Sequence, residues 1–156
     1  MTRKIDALLS EYGESHQNPT NKIVHWICVP VIVWTVLALI RALPVPAAFG
    51  TSVLATWLTP FLILSFLYYI YVSWRLAVGA AVYLAVCVWL IGLYEHTFTL
   101  PLWQFAVIVF VIAWIGQFWG HKVEGKKPSF FKDVQFLMIG PVWLLSFLYK
   151  RAGIAY

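Results

Sequence analysis

The stretch 76-LAVGAAVYLAVCVWLIGLY-94 runs for nineteen residues without a charge. At about 1.5 Å of rise per residue, a helix of that length spans a hydrocarbon layer about 30 Å thick. The run is continuously apolar and lacks the period-two alternation of a lipid-facing strand. Where no water is present to satisfy the backbone, helices and closed barrels are the structures that survive. The expected fold is therefore all-α, a polytopic membrane helix bundle.

Outward from this run, charged residues cut the chain into further uncharged blocks at 23–40, 42–74, 97–120 and 134–149. Block 23–40 holds one span of minimal length. Pro44, Pro46 and Gly50 make a turn that leaves a second span near 52–73, and Pro101 suits the start of a fourth near 101–120. The last block, 134–149, is short for a span and is broken at Gly140-Pro141. It is expected to form a C-terminal re-entrant or interfacial helix. Residues 1–156 then make a single integral membrane domain, with no repeat, low-complexity tract or linker.

Composition agrees: 62% of residues are hydrophobic, 11% are charged and mean hydropathy is +0.82. A soluble domain is nearer half apolar and a quarter charged. The first twenty-two residues are polar, with no apolar core of a signal peptide, so the first span is expected to act as its own insertion signal. Cys28 and Cys87 fall in separate apolar runs and read as small buried hydrophobes. The net charge of +5 does not point to nucleic acid, because the basic residues flank apolar runs. With four spans and the N-terminus inside, Arg3, Lys4, Lys22, Arg75, Lys122, Lys126, Lys127, Lys132, Lys150 and Arg151 share the inner side, against Arg41 outside. The N-terminus is thus expected to be cytoplasmic, in a bacterial inner membrane or the endoplasmic reticulum. Trp26, Trp57, Trp74, Trp103 and Trp119 lie near span ends, as interface anchors do.

The chemistry-bearing residues are four histidines. This topology puts His16, His25 and His121 on one side, from three separate regions of the chain. A lone interfacial histidine is more often an anchor or a hydrogen-bonded core residue than a ligand. Three that can converge at one interface make a candidate metal site, and intramembrane ionisable residues are functional candidates by default. Along a continued fourth span, Gln117, His121 and Glu124 share a face at i, i+4 and i+7. Glu124 reads either as support for that centre or as a surface charge balancing Lys126 and Lys127. His96 lies 25 residues before His121, roughly 35 Å along a straight helix, and is the weaker candidate.

These residues carry a resemblance. His16-x-Asn18-Pro19-x-Asn21-x-x-x-His25, with Trp114-x-x-Gln117-Phe118-x-Gly120-His121 and the downstream Glu124 and Pro128, resembles the iron(II)-dependent 2-hydroxy fatty acid dioxygenases of fatty acid α-oxidation, the yeast 2-hydroxypalmitate dioxygenase type. The resemblance implies Fe(2+) as cofactor and a long-chain 2-hydroxy fatty acid and O₂ as substrates, with the lipid bilayer as the setting. It implies His16, His25 and His121 as catalytic metal ligands, a histidine near His96, and Asn18, Asn21, Gln117 and Glu124 in support. The product would be the acid one carbon shorter.

Two other readings stand beside it. The same residues suit another metal-dependent lipid hydroxylase or hydrolase, since zinc also accepts imidazoles. A non-enzymatic membrane module, such as a transporter, usually shows polar groups at mid-membrane, and the spans here carry almost none.

Overall fold

The computed structural model describes residues 4–46, 52, 55–125 and 136–156. Arg3, Gly50, Lys126, Lys127, Pro128 and Lys132 lie outside the described residues. Six helices make up the described chain, and no strand occurs among these residues. They are α1 (Lys4–Gly13), α2 (Pro19–Arg41), α3 (Leu58–Val72), α4 (Trp74–Thr97), α5 (Leu102–Glu124) and α6 (Ile139–Arg151).

Helices α2, α4 and α5 are long and apolar enough to cross a membrane. Their outward faces carry large apolar side chains such as Ile27, Trp89, Ile112 and Ile115, each more than 60% exposed. That arrangement suits lipid rather than water. The fourth apolar helix, α3, has 15 residues and begins at Leu58, later than the block boundary near 52. The Thr56 hydroxyl accepts a hydrogen bond from the Leu58 amide (3.3 Å). Pro60 then sits in the first turn, where its missing N–H costs nothing.

The bundle is built on an antiparallel α2–α5 pair. Contacts between them run in opposite chain directions, from Asn21 at Gly120, through Cys28 at Gly116, to Trp34 against Phe105. Lipid tails are as apolar as leucine, so close backbone approach, more than hydrophobic burial, holds such helices together. Gly116 and Gly120 allow it. A Cβ at Gly120 would lie 2.5 Å from Asn21 Oδ1, and one at Gly116 would lie 2.8 Å from Cys28 Sγ.

A single residue, Ser73, joins α3 to α4, and its hydroxyl accepts from the Leu76 amide (3.4 Å) to cap α4. Tyr83 of α4 donates to the Pro30 carbonyl of α2 (2.8 Å). At the far end, Arg41 pairs with Glu95 (3.3 Å).

The described C-terminal residues, 136–156, pack back on the bundle. Leu137 packs against Ile32 and Trp114, and Ile32 is seven residues, roughly 10 Å, deeper along α2 than His25. From there α6 runs toward the end of the bundle that carries Arg75. Tyr149 Oη donates to the Arg75 carbonyl (2.9 Å), and Arg75 donates to the Ala155 carbonyl (2.9 Å). Lys150 and Arg151 therefore lie with Lys22, Arg75 and Lys122 at one end of the bundle. Among the described lysines and arginines, Arg41 alone occupies the other end.

The polar prefix is not featureless. Ile5, Leu9 and Tyr12 fall at i, i+4 and i+7 on one buried face of α1, which packs on α6.

Candidate metal centre

Three elements bring the histidines together. His16 follows α1 in the short connection to α2, where its amide donates to the Gly13 carbonyl (3.0 Å). His25 lies on the buried stripe of α2, one turn after Asn21 and one before Val29. His121 lies in the last turn of α5, directly after the glycine that lets α2 approach.

The rings of His16 and His25 are centred 4.1 Å apart, those of His25 and His121 5.1 Å, and those of His16 and His121 5.4 Å. One ring nitrogen from each lies within 4.8 Å of the other two. All three residues are at most 4% exposed. Nitrogens roughly 2.1 Å from a common ion stand about 3–3.5 Å apart, so modest rotations bring this set to bonding distance.

The donor chemistry fits a metal. His16 Nδ1 lies 2.6 Å from the Tyr12 carbonyl, and His25 Nδ1 lies 2.9 Å from the Asn21 carbonyl. A carbonyl oxygen has no proton to give, so each Nδ1 carries the hydrogen and donates it. That fixes the tautomer and leaves the lone pair on Nε2, the arrangement found behind most metal-bound histidines. The Tyr12 ring stacks on His16 with centroids 4.3 Å apart, and Trp143 of α6 lies 5.3 Å from it, so aromatic groups wall the site.

The four supporting candidates have distinct places. Glu124 accepts from the amides of Gln17 (2.8 Å) and Asn18 (2.9 Å) and from Asn21 Nδ2 (3.0 Å). It is a clamp that ties the connection carrying His16 to the end of α5. Gly125, at φ +74°, ends that helix in a left-handed conformation that suits glycine. Asn18 caps α2, its Oδ1 accepting from the Thr20 amide (2.9 Å). Asn21 Nδ2 also donates to the Ser15 carbonyl (3.1 Å), so one side chain holds the connection, the clamp and α2 together. Gln117 is buried beside His25 in a narrow cleft also lined by Ile32, Trp114 and Leu137.

Replacing Glu124 with alanine strips three donors of their acceptor and frees the His16 connection. Iron(II) affinity, measured by anaerobic titration, is expected to fall about 10- to 100-fold with helix content unchanged, as for groups that orient metal ligands elsewhere. An unchanged affinity would remove the clamp from the account of the centre.

His96 is not brought to the other three. It is exposed near the end of α4, next to Glu95 and its partner Arg41, and Arg41 lies sixteen residues, roughly 24 Å, along α2 from His25. Helix α4 runs unbroken from the Arg75 end of the bundle to the Glu95 end, and that is the physical reason. Sequence reasoning missed Tyr12, which supplies both the carbonyl that orients His16 and the ring stacked on it. The spacing of Ile5, Leu9 and Tyr12 was the available signal. It also missed Trp143, because that contact depends on α6 turning back.

The fold and the cluster define an all-helical, lipid-suited bundle built around a buried three-histidine candidate metal centre. A family model described as 2-hydroxy-palmitic acid dioxygenase Mpo1-like matches residues 2–152, and the chain belongs to this Mpo1-like family. No curated protein and no solved structure matches it.

Proposed function

We propose that the chain is a membrane-embedded, iron(II)-dependent dioxygenase that shortens long-chain 2-hydroxy fatty acids by one carbon. The observation that carries this reading is the convergence of His16, His25 and His121, two of them held by carbonyls in the metal-binding tautomer. Family membership supplies the substrate class.

His16, His25 and His121 would hold an iron(II) ion, which would supply the chemistry that activates O₂ toward a 2-hydroxy-carboxylate. The residues do the rest. Tyr12 and Asn21 orient the rings, Glu124 holds the connection in place, and Trp143 and Tyr12 keep water from the histidines. The exposed Lys122, beside His121, offers a positive charge to the carboxylate as it arrives. The overall reaction balances when the C1–C2 bond breaks and C1 leaves as carbon dioxide. One oxygen atom of O₂ then enters the new carboxyl group at C2, and the other leaves as water. The four electrons lost by carbon are those taken up by O₂.

In this reading the histidine end, where the basic residues gather, faces the cytoplasm, and the acyl chain lies among the helices or in lipid. The direct test is product analysis with the purified, iron-loaded protein in lipid nanodiscs. From 2-hydroxypalmitate and ¹⁸O₂ we expect pentadecanoate with one labelled oxygen. A product that retains all its carbons would replace this reading with that of a hydroxylase.

A further inference from the structure

Gln117 has a part in the site that the histidines do not explain. It is 8% exposed, and its Oε1 is buried with no hydrogen-bond partner. It stands one turn before His121 on the same face of α5, and it lines the cleft that reaches His25. The other walls there are largely apolar, Ile32, Trp114 and Leu137 among them. A buried polar atom left unsatisfied is costly and is normally paired. The cleft that Gln117 lines has about 20 Å³ of free space, room for roughly one water-sized group and not for an alkyl chain.

The atom left without a partner is a carbonyl oxygen, so what completes it must be a donor. A fatty acid carboxylate at neutral pH only accepts, and a methylene does neither. A hydroxyl donates one hydrogen and keeps its oxygen lone pairs. We propose that Gln117 reads the 2-hydroxyl of the substrate: Oε1 takes the O–H hydrogen, and the hydroxyl oxygen is turned toward the histidines. Gln117 is then the specificity-determining residue that separates 2-hydroxy acids from ordinary fatty acids and from 2-oxo acids. The ligand's identity rests on the dioxygenase reading above; the need for a small donor in this cleft does not.

The test is binding to the full-length, iron(II)-loaded protein under argon, where no turnover occurs. Three probes are compared: 2-hydroxypalmitate, 2-oxopalmitate and palmitate. The 2-oxo acid has an oxygen at the same carbon but no hydrogen to donate. Wild type is expected to bind the 2-hydroxy acid about 10- to 100-fold more tightly than either of the others, the range for pairing or orphaning one buried polar group. Gln117→Met, of similar volume, is expected to bring all three affinities within about threefold of each other while iron content and melting temperature stay at wild-type values.

A wild-type protein that does not prefer the 2-hydroxy acid overturns the proposal, and this arm needs no variant. So does a Gln117→Met protein that keeps the preference, weakens all three acids equally, or loses its iron. Selective binding that Gln117→Met abolishes, without chain shortening when O₂ is admitted, upholds the role of Gln117 and removes the dioxygenase reading instead.

Discussion

Alanine at His25 and at His121 together is expected to abolish oxygen-dependent chain shortening and reduce bound iron to background. The more telling result concerns the single variants. An ion held by three neutral nitrogens, with no carboxylate among them, has little to spare, so each single replacement should lower activity at least about 10³-fold. The double variant should then be no worse, because groups that act as a unit are far from additive. Stability should change much less. Most of the apolar core, including Leu37, Leu58, Leu76 and Ile91, is fully or almost fully buried and is contributed by residues other than the histidines. Activity assays, metal analysis and melting curves on the same preparations check all three statements. Full activity in the double variant would end the metal-centre account.

Removing the metal is expected to have an effect as large. Chelation should eliminate turnover and leave the far-UV helical signal nearly intact, since most of the apolar core is contributed by residues other than the histidines. Iron(II) should restore activity. Zinc(II) should bind, and more tightly, because divalent affinity at nitrogen sites rises from iron toward copper and zinc. It should nonetheless restore nothing, having no second oxidation state with which to engage O₂. Zinc-dependent turnover of a lipid ester by the same protein would favour the hydrolase reading.

Much of this molecule is legible in its sequence, and what is not has physical causes. Uncharged runs mark α2, α4 and α5 because lipid tolerates so few alternatives. Span counting alone puts His25 and His121 at one end and His96 at the other, since a straight helix cannot fold its two ends together. The break at Gly140-Pro141 points to a segment that does not cross, and α6 indeed turns back. The start of α3 is not legible, because apolar residues continue on both sides of Thr56 and only local hydrogen bonding selects Leu58. The role of Glu124 is equally hidden. Its spacing from His121 shows a shared face, whereas its partners, the amides of Gln17 and Asn18, are backbone groups with no sequence signature. Tyr12 acts through its carbonyl for the same reason.

The order of the three clustered histidines along the chain has a consequence for biosynthesis. Two imidazoles emerge early from the ribosome, at positions 16 and 25, and the third follows 96 residues later, at 121. The glycines that seat α5 against α2 arrive with it. A nascent chain therefore carries only two of the three imidazoles until nearly all of its helices have been made. Under the proposed metal role, uptake of the ion would follow completed assembly of the bundle and would report on it.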